Sequence, residues 1–336
     1  MQQFARDARP RPDCAGAFVA LCNLLIVSIA TAAEPKTNPQ SPQPCEFGMV
    51  IEAQGGGFRN FSGTVTVPAD WPGQQRVRVV EEDLPAGATV SYKKIEDVGR
   101  QMIVKIPNVP PGKELRAVVR FEVEQLKAPP LPQDTERYAL PERGKQTSPH
   151  LAPSPLIESD APEVRKAADE AVGNAKNAWD KVKAVHQWVF QNIKHAGGQE
   201  NKQSTLKTLS ARIGECAEKN SLAVAMLRSL GMPARLVRVP HHCYYEVHLV
   251  DGEGEGHWIS ADASQPAPTS PSADARGMVL QKGDNVWIVD PATKKRVKGR
   301  FLSESATGTP TTRGVKLRFQ PVTPAISSRP EGAKPP

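Results

Sequence analysis

Apolar residues make up only 39% of the 336-residue chain, and 32 residues are proline. Pro-rich connectors therefore dilute an otherwise ordinary globular composition. No run of Lys and Arg interleaves with aromatic residues, and the net charge of +7 is spread along the sequence, which argues against a nucleic-acid-binding surface. The longest basic run, Lys294–Arg300, reads as a solvated strand edge, with contact to an anionic polymer or membrane as the other reading. No C-x-x-C spacing occurs, which weakens any zinc framework. There is no internal repeat. Beyond residue 33 no segment is long and apolar enough to span a bilayer.

What is present begins with an export-like N-terminus. Arg6, Arg9 and Arg11 precede an uncharged stretch from Ala15 to Ala33 that ends in the small residues Ala30-Thr31-Ala32-Ala33. Residues 1–33 read as a cleaved signal peptide or, since the stretch is nearly bilayer-long, as a membrane anchor. The protein is then expected in the periplasm, cell envelope or extracellular space. Cys14 and Cys22 fall within that segment, leaving Cys45, Cys216 and Cys243. Three is an odd number, so at least one thiol stays free. Cys45 and Cys243 are either a disulfide or two buried, inert thiols.

Residues 34–44 form a polar, Pro-rich tether. Residues 45–125 read as all-β, with candidate strands at Gly48–Ala53, Thr64–Val67, Arg76–Glu81, Thr89–Lys93, Gln101–Ile106 and Leu115–Glu124. Several of them alternate, as in Val119/Phe121/Val123, and Pro-Gly turn signals lie between them, the pattern of an antiparallel β-sandwich able to fold alone. Residues 126–158 are Pro-rich and expected to be a surface linker. Ser159-Asp160 is expected to cap a helix with Pro162 in its first turn. A second helix, Ala178 to Ile193, carries Val182, Val185 and Val189 on one face. On it and after it, His186 and His195 read as satisfied core or surface histidines. Strands are expected at Val286–Val289 and Val315–Phe319. The domain reading is completed by a second, α+β domain over 159–322 and a disordered tail over 323–336.

The stretch that organises the chain is Gly214–Ser264. Cys216 opens a helix on which Leu222, Met226, Leu227 and Leu230 recur at helical spacing, and Gly231 with Pro233 ends it. A helix N-terminus is electropositive and favours a thiolate. His242–Leu249 then alternates like a strand. His242, Tyr244, Glu246 and His248 share one face, and Cys243, Tyr245, Val247 and Leu249 the other, which is the more apolar and faces the core. A Gly-rich turn leads to a second strand, His257–Ala261, ending at Asp262. A thiol, an imidazole and a carboxylate in this order make a nucleophilic triad. Strand register selects His242 over His241 and His248.

These residues resemble the transglutaminase-like superfamily, which belongs with the papain-like cysteine enzymes. The family pattern of Gly-x-Cys, Leu-Arg-x-x-Gly-Ile-Pro-Ala-Arg, His-Ala-Trp-x-Glu-Val, Trp and Asp-Pro-Thr has counterparts here. They are Gly214-Glu215-Cys216, Leu227 through Arg235, His242 through Val247, Trp258 and Asp262-Ala263-Ser264. Cys243 stands where Ala is usual, Tyr244 where Trp is usual, and Ala263-Ser264 replaces Pro-Thr; no triad member is lost.

The resemblance implies an α+β fold, with the β-sandwich followed by a papain-like core, in a bacterial-type secreted member of the family. It implies Cys216, His242 and Asp262 as catalytic residues. Tyr244, on the His242 face, and Trp258 are expected to line the substrate pocket. The expected chemistry is cysteine-nucleophile acyl transfer on a protein or peptide substrate. Water as acceptor gives a protease or amidase, and an amine gives a transamidase. The family's animal cross-linking enzymes carry calcium sites, but no Asp-rich calcium loop occurs here, and no cofactor or metal is expected. Two alternatives stay open. One is a non-catalytic secreted module with a transglutaminase-like shell. The other is zinc held by Cys216, His241, His242 and Cys243, which strand alternation disfavours because His242 and Cys243 should point to opposite faces.

Overall fold

Phe47, Met49 and Ile51 fall on one face, with Glu46, Gly48, Val50 and Glu52 between and beside them, and Phe121 and Val123 alternate with charged neighbours, so each strand has one face to bury. The computed structural model describes residues 42–144, 147–197, 203–274, 276–290, 293 and 295–324. The expected signal or anchor, residues 34–41 of the tether and residues 325–336 of the tail lie outside the described residues.

Six antiparallel strands come first: β1 (Gln43–Gln54), β2 (Phe58–Val67), β3 (Gln75–Asp83), β4 (Thr89–Ile95), β5 (Gly99–Val109) and β6 (Glu114–Gln125). They divide between two sheets whose inner faces meet over Phe47, Met49, Phe61, Met102, Val104 and Phe121, all at most 1% exposed. Gly48 permits the close approach of β1 to β6, because a Cβ there would lie 2.1 Å from the Ala117 carbonyl oxygen.

The helical part follows with α1 (Pro162–Val172), α2 (Ala178–Asn192), α3 (Thr205–Ala211) and α4 (Cys216–Ser229). Two short strands, β7 (Lys194–His195) and β8 (Ile213–Gly214), pair in parallel just ahead of α4. The chain then forms β9 (Ala234–Val239), β10 (His242–Val250) and β11 (Gly256–Ala261), an antiparallel meander. Helix α4 is buried nearly all round, from Ala217 to Arg228, between the other helices and the β9–β10 surface. Small residues such as Ala217, Ala223 and Ala225 let neighbours approach it closely. It ends where Gly231 takes φ 80° and the Met232 amide donates to the Leu227 carbonyl at 3.0 Å. Tyr245, Val247 and Leu249 face this helical core, as strand alternation predicts.

The last strands are β12 (Gln281–Lys282), β13 (Val286–Val289), β14 (Arg296–Gly299), β15 (Ser305–Pro310) and β16 (Lys316–Val322). They correct three expectations. First, β16 pairs with β1 and β15 with β2, so residues 305–322 complete the sandwich rather than the helical part. Strand β12 bridges β5 to β9, making one eight-stranded sheet that runs through both parts, and the described residues form a single compact unit. Second, residues 126–158 are no surface linker. Leu131, Tyr138 and Ile157 are buried in the helical core, and the Ala139 amide donates to the Val250 carbonyl at 2.8 Å. Irregular backbone has no period to reveal such burial. Third, Ala161, not Ser159 or Asp160, occupies the N-cap of α1 and makes no side-chain cap.

Candidate active site

Helix α4 begins at Cys216, the expected nucleophile. Glu215 caps it, accepting from the Glu218 amide, while the Glu218 carboxylate accepts from the Glu215 amide at 3.2 Å. This capping box leaves the Cys216 amide unengaged by the cap. Gly214 is required just before it: a Cβ would come within 2.8 Å of the Glu218 Cβ. Cys216 is half-buried at the first helical position. Strand β10 brings His242 beside it, and the turn after β11 brings Asp262 beside His242. The His242 Nε2–H donates to Asp262 Oδ2 at 2.8 Å, and the His242 side chain interacts with the Cys216 sulfur. With Nε2 committed to Asp262, Nδ1 is the ring atom left for the thiol.

The environment favours the ionised pair. A hydrogen bond from the Cys243 thiol, with the hydrogen bond and charge of His242, outweighs burial and pulls the Cys216 thiol down to about 4. Burial works against the charged imidazole, but Asp262 and the Cys216 sulfur outweigh it and hold His242 up at about 9. Burial also opposes the Asp262 charge, yet His242, Asn220 and Ser264 keep that carboxyl well below the usual carboxylate range. These shifts favour a thiolate–imidazolium pair braced by a carboxylate.

Cys243 was expected to point away from His242, with the core set. It does lie on the α4 side, but His242 reaches the same sulfur. His241, just before the strand, is left-handed at φ 57°, so strict alternation does not yet hold at His242. Cys243 is a free thiol, raised well above the usual range by the Cys216 sulfur and by burial. Cys45 is also free, buried in the sandwich with its sulfur 3.8 Å from that of Met278, and burial pushes it up to about 12. There is no Cys45–Cys243 disulfide. Among the described residues no group of three His, Cys, Asp or Glu side chains is arranged to hold a metal ion, so the zinc alternative finds no ligand set there.

The two expected pocket residues lie apart from the thiol. Tyr244 is fully buried on the face away from α4, packed with Val237, Val239 and Val279, and so cannot line a substrate pocket without rearrangement. Trp258 is half-buried farther along the sheet, cross-strand from His248, with the Arg235 guanidinium 3.8 Å from its ring centroid. On that same face Glu246 is fully buried, bonded by Arg235 at 2.7 Å and Lys282 at 2.8 Å, an arrangement that anchors β10 to β9 and β12. Of the other histidines, His186 is a satisfied core residue, its ring nitrogens 2.9 Å from the Tyr245 hydroxyl and from the Gln265 carbonyl. His195 is exposed beside Glu215, His241 is exposed and bonded to the Pro324 carbonyl, and His257 pairs with Asp251 at 2.6 Å.

Sequence reading missed Asn220, Ser264 and Arg300. Ser264 donates to Asp262 Oδ1 from both its amide (3.0 Å) and its hydroxyl (2.7 Å). The Arg300 guanidinium donates to the Ser221 hydroxyl at 3.1 Å and faces Glu218 at 3.5 Å. Asn220 bonds groups on three elements. One signal pointed to it: a polar amide one turn after Cys216 on a helix with no face left for water.

Comparison with known proteins came to the same region. The family model of the transglutaminase-like superfamily matches residues 165–263. A solved structure of a candidate cysteine protease from Cytophaga hutchinsonii is similar over 87% of this chain and 95% of its own, at 18% identity and a TM-score of 0.50. At that identity the likeness is one of fold. The periplasmic domain of TgpA from Pseudomonas aeruginosa aligns over 65% of this chain and 87% of its own, at 14% identity and a TM-score of 0.30. No curated protein matches the chain.

Proposed function

We propose that the chain, whose residues 165–263 match the family model of the transglutaminase-like superfamily, is a cysteine-nucleophile acyl-transfer enzyme acting on peptide or side-chain amides. The observation that carries this reading is the unbroken chain of contacts from Cys216 through His242 to Asp262 at the start of a buried helix. In the proposed reaction the Cys216 thiolate attacks an amide carbonyl carbon and a C–S bond forms. The carbonyl electron pair moves to oxygen, where the Cys216 amide is a candidate donor. As the tetrahedral species collapses, the C–N bond breaks and the leaving nitrogen takes the proton from His242. A thioester on Cys216 remains. Neutral His242 then accepts a proton from the attacking water or amine, and the thiolate departs. Asp262 orients the imidazole and stabilises its cation. Water gives hydrolysis and an amine gives transamidation; both end on the same free thiolate.

The N-terminal pattern of Arg6, Arg9 and Arg11 before an uncharged stretch supports export as part of this reading. The test is a protein substrate such as casein, with and without a fluorescent primary amine. Release of new peptide termini or amine incorporation, together with a thioester on Cys216 seen by rapid-quench mass spectrometry, is expected. Cys216→Ala should lose all three signals. Turnover that survives this substitution would sink the proposal.

A further inference from the structure

We propose that Asn220 is a positioning residue: its single amide holds the start of α4, the strand carrying His242 and the Asp262 carboxylate in the arrangement that keeps Cys216 and His242 paired. Asn220 is 0% exposed. Its Nδ2 donates to the carbonyl oxygen of Cys216 at 2.9 Å, to that of Cys243 at 3.0 Å and to Asp262 Oδ1 at 3.1 Å. Its Oδ1 accepts from the Ala263 amide at 2.9 Å. Two N–H groups serve three acceptors, so one of them is shared. The four bonds tie one turn of helix, the residue after His242, and both Asp262 and the residue after it.

The amide's orientation is fixed by what it meets. Its oxygen faces the backbone N–H of Ala263, and its nitrogen faces a carboxylate and two carbonyls, so a flipped amide would set like against like at every contact. The Ala263 N–H exists because Ala stands at a position where the resembling pattern has Pro, which carries no N–H. At Asp262 the division of labour is plain. Oδ1 takes Asn220 and both groups of Ser264, and Oδ2 is left for His242 at 2.8 Å. Asn220 thereby limits rotation of the carboxylate and holds the Cys243 carbonyl, one residue from the imidazole. Buried networks of this kind act as a unit, and losing one member loosens the rest.

The effect on turnover rests on the acyl-transfer reading; the effect on the thiolate pair does not. The experiment therefore reads both, on the full chain. Alkylation of Cys216 by iodoacetamide is followed against pH by peptide-level mass spectrometry in wild type, Asn220→Ala, Asn220→Ser and Leu222→Ala. The last opens a cavity in the same helix and touches none of these bonds. We expect Asn220→Ala to move the acidic limb of the Cys216 profile up by about one pH unit or more, Asn220→Ser to lie between it and wild type, and Leu222→Ala to leave the limb in place. With any substrate found for the enzyme, kcat should fall ~10- to 100-fold in Asn220→Ala with KM within about twofold. If Asn220→Ala does not fold, Asn220→Ser carries the test. An unmoved limb in a folded Asn220 variant, or an equal shift in Leu222→Ala, overturns the proposal. A moved limb in a protein whose Cys216→Ala variant retains turnover would sink the acyl-transfer reading and leave the positioning role standing.

Discussion

Cys243 is the neighbour whose hydrogen bond leads in depressing the Cys216 thiol, so exchanging it tests the electrostatics of the site directly. In Cys243→Ala the S–H donor disappears while His242 and Asp262 remain. A hydrogen bond to a charged group contributes about 1.5–3 kcal/mol, and at about 1.4 kcal/mol per pKa unit its loss raises the thiol by about one to two units. Thiol donors are weak, which favours the lower end. Starting from about 4, the variant's thiol titrates at about 5–6, still below neutrality. Alkylation at pH 7 should therefore scarcely change, whereas at pH 5 it should slow by about two- to tenfold. Cys243→Ser keeps a donor, and a stronger one, so its profile should stay at or below that of wild type. The assay is the rate of iodoacetamide addition to Cys216 across pH 3–9, with Cys45 as an internal thiol whose pKa of about 12 keeps it slow throughout. Superimposable profiles for Cys243→Ala and wild type, or a Cys243→Ser profile displaced as far as that of Cys243→Ala, would refute the reasoning.

Three further outcomes are expected. His242→Ala should slow Cys216 alkylation at pH 7 by ~10-fold or more, because the imidazolium partner is gone, while His241→Ala and His248→Ala stay near wild type; a dead His241→Ala would transfer the role one residue upstream. Glu246→Gln leaves Lys282 and Arg235 without their buried anion and should cost about 3–5 kcal/mol, read by urea melts at pH 7. The Glu246 carboxyl, held against burial by Arg235 and Lys282 at about 2, lies below its unfolded value of about 4.3, so its contribution is full above the unfolded value and is lost as pH falls towards 2; a variant that loses as much stability on acidification as wild type would show that this group is not responsible. Residues 45–125 expressed alone leave β1 without β16 and β2 without β15, so aggregation through open edges is expected in size-exclusion runs, relieved when residues 305–322 are supplied; a monomeric, folded fragment would contradict this.

The sequence by itself determined the local order of the site. Gly214, the helix start at Cys216, the stop at Gly231 and the alternation of Tyr245, Val247 and Leu249 follow from backbone sterics and from the two side-chain periods, which neighbours in sequence suffice to set. Strand register also selects His242 over His241 and His248, yet it sets His242 on the face opposite Cys243, whereas both side chains act on the Cys216 thiol. Tertiary structure alone decided what pairs across long separations. That β16 returns to β1, that β12 joins two halves of one sheet and that residues 126–158 enter the helical core leave no local trace, because strand pairing and irregular packing depend on distant partners rather than on period. Tyr244 shows the limit from the other side. Alternation predicts that Tyr244 lies opposite Tyr245 and Val247, as it does, but not that it parts from His242 or that residues remote in sequence seal it in a core. The bonds of Asn220 belong to this second class. Its position on the helix was legible, whereas its partners on β10 and after β11 exist only once three elements meet.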